Sequence, residues 1–179
     1  TPPETVLEVG GANGFRLAAL NVEYCCQCVA VEPSIEAIES GKQSFPDIEF
    51  RRGVASKIPR LPDEQFDLVI VSFVLHWVDR SSLARTIAEI DLSVKNGGLL
   101  VISDFMPDQP TMNLYHHRDD ETMTYKQNYS ASFTSLGIYE IVKECIGLHG
   151  SGFDEKSESD RRIATVVMRK SMSGLYVQG

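Results

Sequence analysis

Apolar residues recur along the chain in two alternating rhythms. Runs of strand character at Thr5 to Val9, Gln27 to Glu32, Ile48 to Arg52 and Phe66 to Leu75 are separated by segments with helical spacing, the alternation of βαβ units around a mostly parallel sheet. The run FDLVIVSFVL, Phe66 to Leu75, is almost continuously apolar, as a central strand covered on both faces requires. Between Ser81 and Val94, Leu83, Ile87, Ile90 and Val94 fall on one face of a helix. Asn96-Gly97-Gly98 then reads as a left-handed helix stop, with Leu99 to Phe105 as the fifth strand. Shorter helices are expected from Phe15 to Leu20, over Ile35 to Ser44 behind Pro33, and near Tyr129 to Leu136. Tyr139 to Ile146 and Ile163 to Arg169 are the last two expected strands, joined by a charged, solvated connection over 154–162. The polar stretch 106–128 holds two prolines, two histidines and no steady period, so it reads as a long irregular segment of the kind that contacts substrates.

A length of 179 residues fits one domain with one core, and nothing in the chain reads as an inter-domain linker. The formal charge of −8 sets the field of the whole molecule against a broad phosphate-binding surface, which disfavours nucleic acid as a partner. No apolar run approaches the roughly 18 residues that span a bilayer, and no basic segment leads into an apolar one at the start. A soluble, cytoplasmic protein without a membrane partner is therefore expected. Thr1 is not a start methionine and stands only four residues before the first strand, which leaves open whether the full chain carries residues upstream. Three of the four cysteines, Cys25, Cys26 and Cys28, crowd into four residues and make no spread disulfide framework. Cys25 and Cys28 have CxxC spacing but no second ligand pair, so these thiols read as small apolar residues at a strand entrance.

The first strand-to-helix turn is E8-V-G10-G-A12-N-G14. Glycines there let backbone approach a ligand, and the next helix presents free N–H groups and a positive dipole end to an anion. Glu32 closes the second strand 18 residues beyond Gly14, where a doubly wound fold places an acid that accepts hydrogen bonds from ribose hydroxyls. Pro33 favours extended backbone at Glu32, holding it at the strand's mouth. Dinucleotide sites use G-x-G-x-x-G, whereas Gly10 and Gly14 lie four apart, so a nicotinamide cofactor fits the spacing poorly.

The turn resembles the E/D-x-G-x-G-x-G motif of class I S-adenosylmethionine-dependent methyltransferases, and the resemblance extends over about residues 5 to 105. VLEVGGANG is similar to their first motif, VAVEPS to their second, LPDEQFDLVIVSFVLHWVD to a segment of small bacterial members that ends in HWV or QWV, and KNGGLLVISDF to their K-P-G-G-x-L strand entry. The resemblance implies a Rossmann-like, three-layer α/β/α domain with a doubly wound seven-stranded sheet whose last strand is antiparallel. It further implies S-adenosylmethionine as cofactor, S-adenosylhomocysteine as product, and a cofactor site made by Glu8, Gly10, Gly11, Ala12, Asn13, Gly14, Glu32, Pro33, Ile35, Val54, Ala55, Ser72, Phe73 and Trp77. Two positions depart from the pattern: Ala12 stands in place of the middle glycine, and Val54 where members carry an acid for the adenine amino group.

Methyl transfer asks the protein to align a nucleophile and, for a hydroxyl or carbon acid, to take a proton. His76 follows the buried fourth strand at its carboxyl end and is the candidate general base and substrate contact. Asp104, Tyr115, His116, His117 and Tyr125 are candidate substrate contacts, with Arg118 and Lys126 in the same polar run, which also has the composition of a solvated loop. Adjacent histidines diverge and no acid is fixed beside them, so no metal is expected. The expected acceptor is a small molecule or a cell-envelope precursor; a non-catalytic cofactor-binding or assembly protein on the same fold is the alternative, and the sequence leaves oligomeric state open.

Overall fold

A computed structural model describes residues 1–115, 122–149 and 158–173. β1 (Thr5–Val9), β2 (Gln27–Glu32) and α2 (Ile35–Ser44) have the bounds that the apolar pattern predicts. α1 runs further than expected, Phe15–Tyr24, and β3 is Glu49–Arg52. α3 (Arg80–Ser93) and β5 (Val94–Phe105) follow β4 (Phe66–Ser72), and β8 (Tyr139–Leu148) and β9 (Arg162–Lys170) complete the sheet. The seven strands lie in the order β3-β2-β1-β4-β5-β9-β8. β1 to β5 pair in parallel, whereas β9 is antiparallel to both its neighbours. This is the Rossmann-like α/β sheet with the antiparallel last strand.

The two faces of the sheet make two cores. Leu7, Val9, Val69 and Val71 point to one side and pack with Leu83, Ile87 and Ile90 of α3. Val6, Ala30 and Ile70, one residue out of phase, point to the other and meet Leu17 of α1. Period 2 along each strand forces this division, and each fully buried Leu or Ile contributes about 1.5 to 3 kcal/mol. Cys26 and Cys28 are buried in the second cluster with sulfurs 3.5 Å apart, while Cys25 and Cys145 are exposed. Burial pushes the Cys28 thiol up to about 12, with further upward pressure from Cys26, as befits a packing group rather than a reactive one.

Other segments differ further from the sequence reading. The strand from Phe66 stops at Ser72 instead of Leu75, because Phe73 turns to φ +55° and Leu75–Trp77 wind into a 3₁₀ turn. Asn96-Gly97-Gly98 does not stop α3. Val94 already pairs with Phe66, and the three residues lie inside β5 where its register against β4 slips between Phe66 and Leu68. The stretch 106–128 is not irregular throughout: β6 (Thr111–Leu114) and β7 (Met123–Lys126) pair antiparallel as a separate two-stranded sheet. α4 is Ser130–Thr134, and the described part of the expected 154–162 connection includes one helical turn, α5 (Glu158–Arg161). Among the described residues no helix is long and apolar enough to cross a membrane.

Candidate active site

β1 has β2 on one side and β4 on the other, so the chain reverses its direction of travel across the sheet there. Loops at the carboxyl ends of these strands diverge and leave a crevice, the usual ligand site of open α/β sheets. Residues 10–14 form its floor. Gly10 has φ +73°, and a Cβ on it would stand 2.3 Å from Val74 Cγ2; both the conformation and the space demand glycine. Its N–H donates to Val31 O at 2.8 Å, tying the turn to β2. Gly14, at φ +80°, caps α1.

Ala12 also sits in the left-handed region, at φ +46°. Its N–H donates to Glu32 Oε2 at 3.0 Å, and the Ser34 N–H donates to Oε1 at 3.0 Å. Glu32 thus closes β2, pins the glycine-rich turn and holds the start of α2, whose first turn Ser34 caps by accepting from the Ala37 N–H. Each carboxylate oxygen has further lone-pair capacity. Beneath the turn, Glu8 is buried and ion-paired with Arg16, and its Oε2 has no hydrogen-bond partner among the described residues.

Beside this turn lies a cavity of about 570 Å³ walled by Val9, Gly10, Val31, Pro33, Val54 and Ala55, and closed by Val74, Trp77 and Tyr115. Val54 supplies an apolar wall where an acid was a possible adenine contact. Ile35 is exposed on the first turn of α2, and neither it nor Ser72 is among the lining residues. Gly11, Ala12, Asn13 and Gly14 belong to the turn alongside rather than to the lining.

A second cavity, about 800 Å³, adjoins the first and shares Trp77 and Tyr115 with it. The Trp77 and Tyr115 rings meet edge to face with centroids 4.7 Å apart, so this pair forms the partition. Phe73 lines the larger cavity and not the smaller one, away from the cofactor role that the resemblance implied. His76 is buried there between Trp77 and Phe105, with centroids at 4.8 and 5.0 Å. Its Nδ1 lies 2.8 Å from Asp104 Oδ1. Asp104 Oδ2 accepts the backbone N–H groups of Leu75 and His76, at 2.9 and 3.3 Å. Asp104 therefore faces the histidine and its turn rather than the cavity.

The hairpin β6–β7 supplies the opposite wall. Period 2 along β7 puts Thr124 and Lys126 on the cavity side. Tyr125 points the other way, donating its hydroxyl to Asp79 Oδ2 at 2.8 Å. It braces the N-cap of α3 instead of touching the cavity. Lys126 Nζ bonds Asp160 Oδ2 at 2.8 Å and stands 4.2 Å above the Phe105 ring. Asn113 donates to Asp160 Oδ1 at 2.9 Å. His116 and His117 lie outside the described residues. Arg16, Phe105, Asn113, Thr124, His149 and Asp160 were missed by the sequence reading. Thr124 had a local signal, its alternation with Lys126, and Arg16 stands on the first turn of α1 only eight residues from Glu8; Phe105 ends β5 and Asn113 lies on β6, while His149 and Asp160 are brought in by the long-range pairing of β8 and β9 with β5. Among the described residues no three His, Cys, Asp or Glu side chains cluster to hold a metal.

A family model described as a methyltransferase domain matches residues 7–102. Among individual proteins, demethylmenaquinone methyltransferase of Renibacterium salmoninarum is 34% identical over 109 residues, covering 58% of this chain and 42% of that protein. Malonyl-[acyl-carrier protein] O-methyltransferase of Halalkalibacterium halodurans is 25% identical over 131 residues, 70% of this chain and 46% of that one. The chain thus spans less than half the length of these relatives. The crystal structure of Burkholderia thailandensis 1,6-didemethyltoxoflavin-N1-methyltransferase, with its 1,6-didemethyltoxoflavin and S-adenosylhomocysteine bound, is similar in fold. Its TM-score is 0.70 at 16% identity, with 95% of this chain and 72% of that chain covered.

Proposed function

Because the chain belongs to the methyltransferase domain family, of the class I S-adenosylmethionine-dependent type, we propose that the protein transfers the methyl group of S-adenosylmethionine to a small-molecule acceptor held against His76. The observation that carries this reading is the pair of adjoining cavities at the switch point of the sheet, divided by Trp77 and Tyr115. One is continuous with the Gly10 to Gly14 turn and the other holds the basic residue. Two features suit the cofactor. The carboxylate of Glu32 is fixed by two amides yet keeps acceptor capacity for ribose hydroxyls. The Glu8 oxygen beneath the turn, without a hydrogen-bond partner among the described residues, suits the ammonium of the methionine end, and the N–H groups opening α1 suit its carboxylate. Val54, Ala55 and Pro33 would wall the adenine.

Bound there, S-adenosylmethionine supplies a methyl group made electrophilic by its sulfonium. The chain's own contribution is placement and a proton acceptor. A carboxylate only accepts, so the Asp104 bond keeps the proton on His76 Nδ1 and leaves Nε2 as the basic nitrogen. The aromatic neighbours of His76 restrict water around it. An acceptor hydroxyl reaching Nε2 would lose its proton as its oxygen becomes the nucleophile. About 800 Å³ lies within the roughly 300 to 1,000 Å³ usual for small-molecule pockets. The named relatives act on different acceptors, so no acceptor is carried over from them.

Glu32→Ala tests the cofactor assignment. Loss of charged hydrogen bonds to ribose should cost about 1.5 to 3 kcal/mol, read by calorimetry as roughly 10- to 150-fold weaker S-adenosylhomocysteine binding. Unchanged affinity removes Glu32 from the site.

A further inference from the structure

Resting on the reading of the larger cavity as the acceptor site, we propose that the acceptor is a flat, uncharged hydroxyaromatic ring system. Among the described residues, six of the twelve that line that cavity carry rings: Phe73, His76, Trp77, Phe105, Tyr115 and His149. They form a connected wall and not scattered contacts. Phe73, Phe105 and His149 stand at centroid distances of 5.3 to 5.8 Å from one another, and His76 sits 5.0 Å from Phe105 and 4.8 Å from Trp77. Ring faces and edges at these separations favour another ring between or beside them, because quadrupoles pair in offset and edge-to-face arrangements. A branched or saturated acceptor gains contact area there but not this pairing.

Charge on the wall argues for a neutral ligand. Lys126 is the one lining cation among the described residues, and it is spent: Asp160 takes it through both Oδ2 and the backbone carbonyl, at 2.8 and 2.9 Å. Asp160 is in turn bonded by Asn113. A carboxylate or phosphate on the acceptor would have to break this neutral pair. The basic nitrogen of His76 selects the acidic end of the ligand. A phenol, with a pKa of about 10, gives up its proton to an imidazole base far more readily than an alkyl alcohol does. In the transfer, the aromatic hydroxyl proton passes to Nε2 of His76. The oxygen gains the methyl group, and the sulfonium of S-adenosylmethionine leaves as a neutral thioether.

The test is binding, measured by calorimetry on the protein saturated with S-adenosylhomocysteine. The probes are 2-naphthol and its saturated counterpart decahydro-2-naphthol, which keeps the hydroxyl and the two-ring outline. The expected result is at least tenfold tighter binding of 2-naphthol, and a loss of most of that preference in Phe105→Leu with S-adenosylhomocysteine affinity retained. Equal binding of the two probes, or binding of neither to the saturated protein, overturns the hydroxyaromatic assignment alone. Failure of S-adenosylhomocysteine itself to bind overturns the cofactor reading beneath it, and the acceptor assignment falls with it.

Discussion

Asp104 does more than select a tautomer for His76. One oxygen takes the ring and the other takes the amides of Leu75 and His76, so a single carboxylate fixes the 3₁₀ turn and the imidazole it carries. His76→Gln should keep the turn and remove the proposed base. It should leave S-adenosylhomocysteine affinity within about twofold and, with an acceptor in hand, lower kcat/KM about 10²- to 10⁴-fold. Turnover that survives unchanged removes His76 as the base. Ala12 is the other telling residue. Its φ of +46° strains any side-chain-bearing residue, and the Glu32 bond holds it there. Ala12→Gly should raise unfolding free energy by about 0.5 to 1 kcal/mol in urea titration, strain relief outweighing the greater freedom of an unfolded glycine. The sequence marked Ala12 as a departure and Glu32 as a ribose ligand, but not that one holds the other. That bond depends on how a loop and a strand end meet, which no local spacing encodes.

At the scale of elements, the parallel half of the sheet was legible because each strand is a short apolar run bounded by turn residues, and burial on both faces leaves little choice of register. Its strands are also stitched at the far edge from the site. Asp67 at the start of β4 accepts from the Thr5 amide and hydroxyl on β1 and pairs with Lys95 on β5, at 2.8 to 2.9 Å. Partial burial pushes this carboxyl up, but the Lys95 ammonium and the Thr5 donors outweigh it and hold the group at about 2. A depressed folded value means stability that is present above the unfolded value near 4 and is lost as pH falls toward 2. Asp67→Asn should therefore cost about 1 to 2 kcal/mol at pH 7, with the gap to the parent protein closing between about pH 4 and pH 2 in denaturant titrations. The hairpin β6–β7 was not legible. Four-residue strands of mixed polarity carry too short a period to stand out, and their pairing partner is each other rather than the core.

At the scale of the whole molecule, the strand order places two cavities side by side where β1 and β4 diverge. The first follows from motifs that the sequence displays, since its lining comes mainly from turns directly after β1, β2 and β3. The second draws Phe73 and His76 from beyond β4, Phe105 from β5, Lys126 from the hairpin, and His149 and Asp160 from the antiparallel strands' ends. Assembly from so many separate segments hides it from any reading along the chain. Trp77, the only tryptophan, stands in both walls, which makes its fluorescence a reporter for each. The central claim is that the smaller cavity takes S-adenosylmethionine. Calorimetric titration of the purified protein with S-adenosylmethionine, S-adenosylhomocysteine and NADH tests it most directly. The account predicts saturable one-site binding of the first two and none of NADH. Heat from NADH alone, or from none of the three, would contradict it.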